Sequence, residues 1–214
     1  VGPFIYGPEE CYERLEYCPP LKAQHTIDLP EFWIAKYPVT YLEWRNFLEA
    51  TGYNWSGQWY QVVRGWRGTF LRAFAPVKPY PDGHDRLPIV DVSQRDAVAY
   101  GDWLSQKIDR RCTLPTEQQW EKAARGIDGR LYPWGNDRPR PEIHWQKKFP
   151  VGPETFLFSL IVKPRHEWAR AGWYWRNGYP WPIGRNPKNI SPYGCLDMSG
   201  NIWEWTSSLY NPEL

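Results

Sequence analysis

The chain lacks long apolar stretches, a charge excess of either sign, and closely paired cysteines. Its longest run free of charges and turn residues is 156–162, far short of the roughly 20 residues that span a bilayer. With 26 Lys+Arg against 24 Asp+Glu and a net charge of +2, it has none of the basic excess by which nucleic-acid binders neutralise phosphates. The four cysteines, Cys11, Cys18, Cys112 and Cys195, include no C-x-x-C, which excludes a zinc site built from short paired spacings. Cys11 and Cys18 suit either a local bridge in an oxidising compartment or two reduced thiols. No G-x-S-x-G, P-loop or Gly-rich dinucleotide loop is present. Nor is there a repeat, a heptad run or a charge block, so residues 1–214 read as one domain. The opening residues Val1-Gly2-Pro3 carry no basic n-region or apolar h-region. Of the compartments left open, the cytoplasm is preferred.

What the chain has is rings. It holds 15 Trp, 14 Tyr and 8 Phe, 17% of all residues, at a mean hydropathy of -0.69. Each ring buries a large area, so a loop-rich chain of this length can close a core without much Leu or Ile. With 17 Gly and 22 Pro, turns are frequent.

Three helices are predicted from one N-terminal device, the capping box. Thr40 and Glu43 frame a helix ended by Gly52. Ser93 and Asp96 open a second, in which Ala97, Tyr100, Trp103 and Leu104 share a face. Thr116 and Gln119 open a third that runs to Gly126. Its Glu117 and Glu121 share a face and suit solvent or an ion pair with Arg125. Short strands are predicted at 26–29, 32–35 and 89–92 from β-branched and aromatic content. Beyond Tyr132 there are turn signals and no useful helical period. The reading is α+β, with a long irregular half.

Four stretches are more particular. Leu114-Pro115-Thr116-Glu117-Gln118-Gln119-Trp120-Glu121 and the following Lys122-Ala123-Ala124-Arg125-Gly126 precede Tyr132-Pro133-Trp134-Gly135-Asn136. Tyr193-Gly194-Cys195-Leu196-Asp197-Met198-Ser199-Gly200-Asn201-Ile202-Trp203-Glu204-Trp205-Thr206 lies downstream. Tyr37-Pro38-Val39-Thr40 and Leu87-Pro88-Ile89-Val90-Asp91-Val92-Ser93 lie upstream. In this order they resemble the signatures of the formylglycine-generating enzyme family, also called the sulfatase-modifying factor family. The resemblance implies a formylglycine-generating-enzyme-like variant of the C-type lectin-like fold, low in regular secondary structure. The family includes copper-dependent oxidases that convert a sulfatase cysteine to formylglycine, iron-dependent sulfoxide synthases, and proteins that only bind ligands.

The resemblance also implies a structural calcium at Asp197, Gly200, Ile202 and Glu204, an oxygen set of the kind Ca²⁺ takes. Spacing alone suits loop capping by the two carboxylates equally well. A second family calcium site would fall at Ile143-His144-Trp145, where Ile143 supplies no side-chain oxygen. None of the four cysteines matches the family's catalytic pair, which lies in a C-terminal segment absent from these residues. No catalytic residue is therefore assigned, and copper would be held only if such a segment supplied its cysteines. His25, His84, His144 and His166 lack ligand spacing and read as surface or hydrogen-bonded residues.

The last feature is a Trp-rich stretch. Trp173, Trp175 and Trp181, with Arg176 among them, could stack and hydrogen-bond a ligand if exposed; packing of the irregular half is the other reading. The expectation is a non-catalytic binding or recognition module for a peptide, protein or glycan, with no nucleic acid and no membrane insertion. The alternative is part of a copper-dependent oxidase.

Overall fold

All three predicted helices form, each behind its capping box. In a computed structural model describing residues 2–7, 25–64, 72–77, 80–137 and 180–209, α1 spans Tyr41–Thr51, α2 Gln94–Ile108 and α3 Glu117–Arg125. At α1 the Thr40 hydroxyl accepts the Glu43 amide at 3.3 Å, and the Glu43 carboxylate accepts the Thr40 amide at 2.8 Å. Two first-turn donors that no helical carbonyl can reach are satisfied in this way. Asp96 does the same work at α2, its shorter carboxylate accepting the Ser93 amide at 2.8 Å. Gly52 ends α1 at φ 63, the left-handed region that favours glycine, and returns its amide to Leu48.

Strands follow the sequence less closely. The numbering places β1 at Gly2–Tyr6, β2 at His25–Leu29, β3 at Trp59–Arg64 and β4 at Arg72–Val77. β1 pairs antiparallel with β2, from Gly2↔Leu29 to Tyr6↔His25. β3 pairs antiparallel with β4, from Trp59↔Val77 to Arg64↔Arg72. The expected strand at 26–29 lies inside β2. Those at 32–35 and 89–92 are not strands. Their apolar residues serve burial instead: Ile89 and Val90 enter one core, and Phe32 and Ile34 pack on another. In 132–137 and 180–209 the described residues hold no helix or strand, as the turn signals implied.

Two cores hold the elements. The larger joins α1, α2 and the 87–90 segment through Tyr41, Trp44, Phe47, Tyr60, Leu87 and Tyr100. Trp44 stacks on Tyr100 at 5.7 Å, and Phe47 meets Tyr100 edge-on at 5.6 Å. Such ring pairs add about 0.5–1.5 kcal/mol each beyond the area they bury. Gly57 is required where the chain closes on this core, because a Cβ there would stand 2.3 Å from both the Asp91 carbonyl oxygen and the Trp55 ring. The smaller core gathers Ala123, Ala124, Cys195 and Met198, joining α3 to the irregular half.

α3 also grips β1. Glu121 accepts the Gly7 amide at 2.8 Å, Arg125 donates to the Gly7 carbonyl at 3.0 Å, and Lys122 donates to the Gly2 carbonyl. Of the two roles the sequence left open to Glu121, solvent or an ion pair with Arg125, the ion pair is present.

Candidate functional site

The segment 195–208 sits among the 181–189 turn, the start of α2 and the start of α3. Its backbone winds tightly: Asp197 and Asn201 have φ of 64 and 68, a region that Asp and Asn enter more readily than most residues. Both side chains tie the loop to its neighbours. Asp197 accepts the Gly184 amide at 2.7 Å. Asn201 accepts the Trp181 amide at 2.7 Å and donates back to the Trp181 carbonyl at 3.0 Å. Asn189 donates to the Ser199 carbonyl at 2.8 Å, while its buried amide oxygen has no partner. On the far side, Gln94 donates to the Thr206 carbonyl at 2.7 Å and the Trp205 indole to the Val92 carbonyl at 2.9 Å. The Ser207 amide reaches the Pro115 carbonyl at 2.8 Å, and the Ser208 hydroxyl accepts the Glu117 amide at 2.9 Å.

Within this frame the predicted metal residues share one loop. Burial raises the Asp197 carboxyl pKa, and the Gly184 amide only partly offsets the rise. Glu204 is solvent-accessible as a residue, yet the protein crowding its carboxylate pushes the pKa up to about 7, and the Asp197 charge adds to that rise. The Trp120 indole, donating to Glu204 at 3.4 Å, works in the opposite direction. Two carboxylates on one loop, with the Asp197 charge opposing the ionisation of Glu204 and backbone carbonyls between them in sequence, form a donor set of hard oxygens. That chemistry fits Ca²⁺. Gly200 accepts the Ile202 amide at 2.9 Å, leaving its second lone pair available. Among the described residues no cluster of three or more His, Cys, Asp or Glu side chains is present, so a cation here would depend on main-chain oxygens as well as the two acids.

The other predicted residues are more scattered. Trp173, Trp175 and Arg176 lie outside the described residues, as do Cys11, Cys18, His144 and His166. Trp181 is half-buried, and the Arg185 guanidinium stands over its ring at 4.2 Å. Cys195 is buried in the smaller core, and that burial raises its thiol pKa. Cys112, past the end of α2, is a free thiol whose amide donates to Ser105 at 2.7 Å. His25 meets the Tyr6 ring edge-on at 5.4 Å, and His84 Nδ1 lies 2.8 Å from the Asp82 carbonyl. Sequence reading missed the Arg185–Trp181 stack, which joins residues across two turns, and the exposure of Trp33, Trp203 and Trp205. Ring content alone does not separate exposed from buried tryptophans.

The α+β fold and its ordered motifs define a class, the formylglycine-generating-enzyme-like proteins. Residues 1–214 match the sulfatase-modifying factor enzyme 1-like domain, and the chain belongs to that family. It is 32% identical to the inactive C-alpha-formylglycine-generating enzyme 2 of Mus musculus, over 87% of this chain and 61% of that protein. It is 30% identical to the formylglycine-generating enzyme of Mycobacterium tuberculosis, over 88% of this chain and 67% of that protein. The structure of PvdO from Pseudomonas aeruginosa shares the fold at a TM-score of 0.63 and 22% identity, covering 99% of this chain and 69% of that one. The chain thus spans about three-fifths of the length of its mouse relative. Among the described residues no helix is long and apolar enough to cross a membrane.

Proposed function

We propose that these residues form a non-catalytic binding and recognition module that takes a peptide, protein or glycan. The observation that carries the reading is the placement of the two described thiols, Cys112 and Cys195. Soft thiolates are what select Cu(I), but Cys195 is packed against Ala123, Ala124 and Met198 with its thiol form favoured. Cys112 belongs to a different segment, bonded to Ser105. Neither fits a copper site. The mouse relative, described as inactive, is in keeping with this reading. Trp181 under Arg185 offers an aromatic face with a fixed cation to a ligand. Asp197, Gly200, Ile202 and Glu204 hold a structural Ca²⁺ beside it, which would neutralise the two acids.

Similarity to the M. tuberculosis enzyme favours a second reading, in which the residues are part of a copper-dependent formylglycine-generating oxidase. One experiment separates the two. The 214-residue chain is incubated with Cu(I), reductant and a cysteine-containing sulfatase-type peptide, and is applied in parallel to peptide and glycan arrays. A binding module gives no formylglycine by mass spectrometry and gives array binding that weakens in Trp181→Ala. Stoichiometric formylglycine overturns it.

A further inference from the structure

The chain has two Asp-Gly pairs, Asp82-Gly83 and Asp128-Gly129. Asp-Gly favours an internal condensation, because glycine brings no Cβ between its amide and the aspartyl side chain. The fold treats the two pairs oppositely. Asp82 and Gly83 are both exposed, in the turn before His84. Gly83 has φ 72, and nothing stands within 4 Å of the position a Cβ would take. Among the described residues, the Asp82 carboxylate and the Gly83 amide make no hydrogen bond. His84 Nδ1 lies 2.8 Å from the Asp82 carbonyl; that oxygen can only accept, so Nδ1 carries the proton. The bond draws electrons from the peptide group joining Asp82 to Gly83 and stabilises the negative charge left when the Gly83 N–H loses its proton.

Asp128 is held instead. Arg130 donates to its two carboxylate oxygens from Nε and Nη2, each at 2.8 Å, and these bonds bring its pKa down to about 2. The neutral acid, the form an amide nitrogen attacks, is scarcer there by about two orders of magnitude than for an ordinary carboxyl. Gly129 is half-buried, its carbonyl accepts Arg125 at 3.2 Å, and a Cβ would meet Ile5 at 3.2 Å.

We propose that Asp82-Gly83 is a self-modification site, where the backbone rearranges through a cyclic imide to isoaspartate with His84 assisting, while Asp128-Gly129 stays intact. The Gly83 nitrogen gives up its proton and bonds to the Asp82 side-chain carboxyl carbon. The carboxyl hydroxyl leaves with a proton as water, and the ring closes. Water then opens it at either carbonyl. Opening at the side-chain carbon restores aspartate. Opening at the main-chain carbon leaves isoaspartate, with the chain running through the side chain and a free α-carboxylate beside it. Nothing is oxidised or reduced. The product is the group taken by S-adenosylmethionine-dependent carboxyl methyltransferases that recognise isoaspartate. It adds a methylene to the turn whose Asp85 and Leu87 carbonyls accept the Leu42 and Tyr41 amides at the start of α1. None of this depends on what the chain binds.

The test ages the folded 214-residue chain at neutral pH in water enriched in heavy oxygen. Its peptides are then mapped by mass spectrometry with electron-transfer fragmentation, which separates isoaspartate from aspartate. Isoaspartate carrying heavy oxygen should build up at 82 about tenfold or more faster than at 128, and a purified isoaspartyl methyltransferase should label the 82 peptide. His84→Phe should leave the melting temperature unchanged and slow the build-up at 82 about fivefold, the worth of one hydrogen bond. It should slow base-catalysed exchange of the Gly83 amide alike. Arg130→Gln should bring isoaspartate to 128. No isoaspartate at 82, or equal build-up at the two sites, overturns the proposal. A His84→Phe chain that isomerises as fast as the original overturns the part given to the imidazole.

Discussion

Trp44 is buried in the larger core, yet its indole nitrogen has no hydrogen-bond partner. Its worth is therefore in packing on Tyr100, Phe47 and Trp55. Trp44→Ala should cost about 3–5 kcal/mol in urea unfolding, while Trp44→Phe, which removes a donor that makes no bond, should cost clearly less. Asp96 behaves oppositely, through its polar atoms. Burial alone would raise its carboxyl pKa, but bonds from the Ser93 hydroxyl and amide and the Tyr53 hydroxyl at 2.9 Å overcome that and lower it. A carboxyl whose pKa falls on folding stabilises fully above its unfolded value, about 3.9, and that stability is lost as pH falls through the folded value. The stability gap between the chain and Asp96→Asn should therefore hold down to about pH 5 and narrow as the pH falls further, through the lowered folded value. Retention of the full gap at the acid end would show that the carboxylate does not act this way.

At the scale of the element, helices were legible in the sequence and strands mostly were not. A capping box is written in four neighbouring residues, so Thr40–Glu43, Ser93–Asp96 and Thr116–Gln119 could be read without knowing anything distant. A strand is defined by its partner. β1 contains Gly2 and Pro3, and β4 contains Pro76, residues that weaken a strand signature. Conversely, Ile89 and Val90 have strand-like composition but belong to a core segment. Ser93→Ala should destabilise by about 1 kcal/mol, measured by denaturant titration. Arg125→Ala removes the bonds to the carbonyls of Gly7, Gly129 and Arg130. It should speed amide exchange in β1 and β2 and leave α1 and α2 unchanged; uniform acceleration would mean that the grip on β1 is not local.

Across the whole molecule, the loop 195–208 ties together both helix starts and the 181–189 turn. If it holds Ca²⁺, ligand linkage stabilises the native state by about 2.7 kcal/mol at a hundredfold excess over Kd. Chelator should then lower the melting temperature, and Asp197→Ala should remove the response; a melt indifferent to chelator removes the ion. The candidate acids were legible because they share one short motif. The exposure of Trp203 and the stacking of Arg185 on Trp181 were not, since both depend on which surface the turn leaves open. The grip of α3 on β1 also has a meaning in time. The bonds from Gly7 to Glu121 and from Lys122 to Gly2 link residues 114 and 120 positions apart. At a synthesis rate of about 5–20 residues per second, β1 leaves the ribosome roughly 6–24 seconds before α3 does. During that interval, among the described residues, β2 is its strand partner, and a lone two-stranded hairpin is marginal in water. The order of synthesis thus runs against the order of assembly: β1 waits for α3 before it is secured.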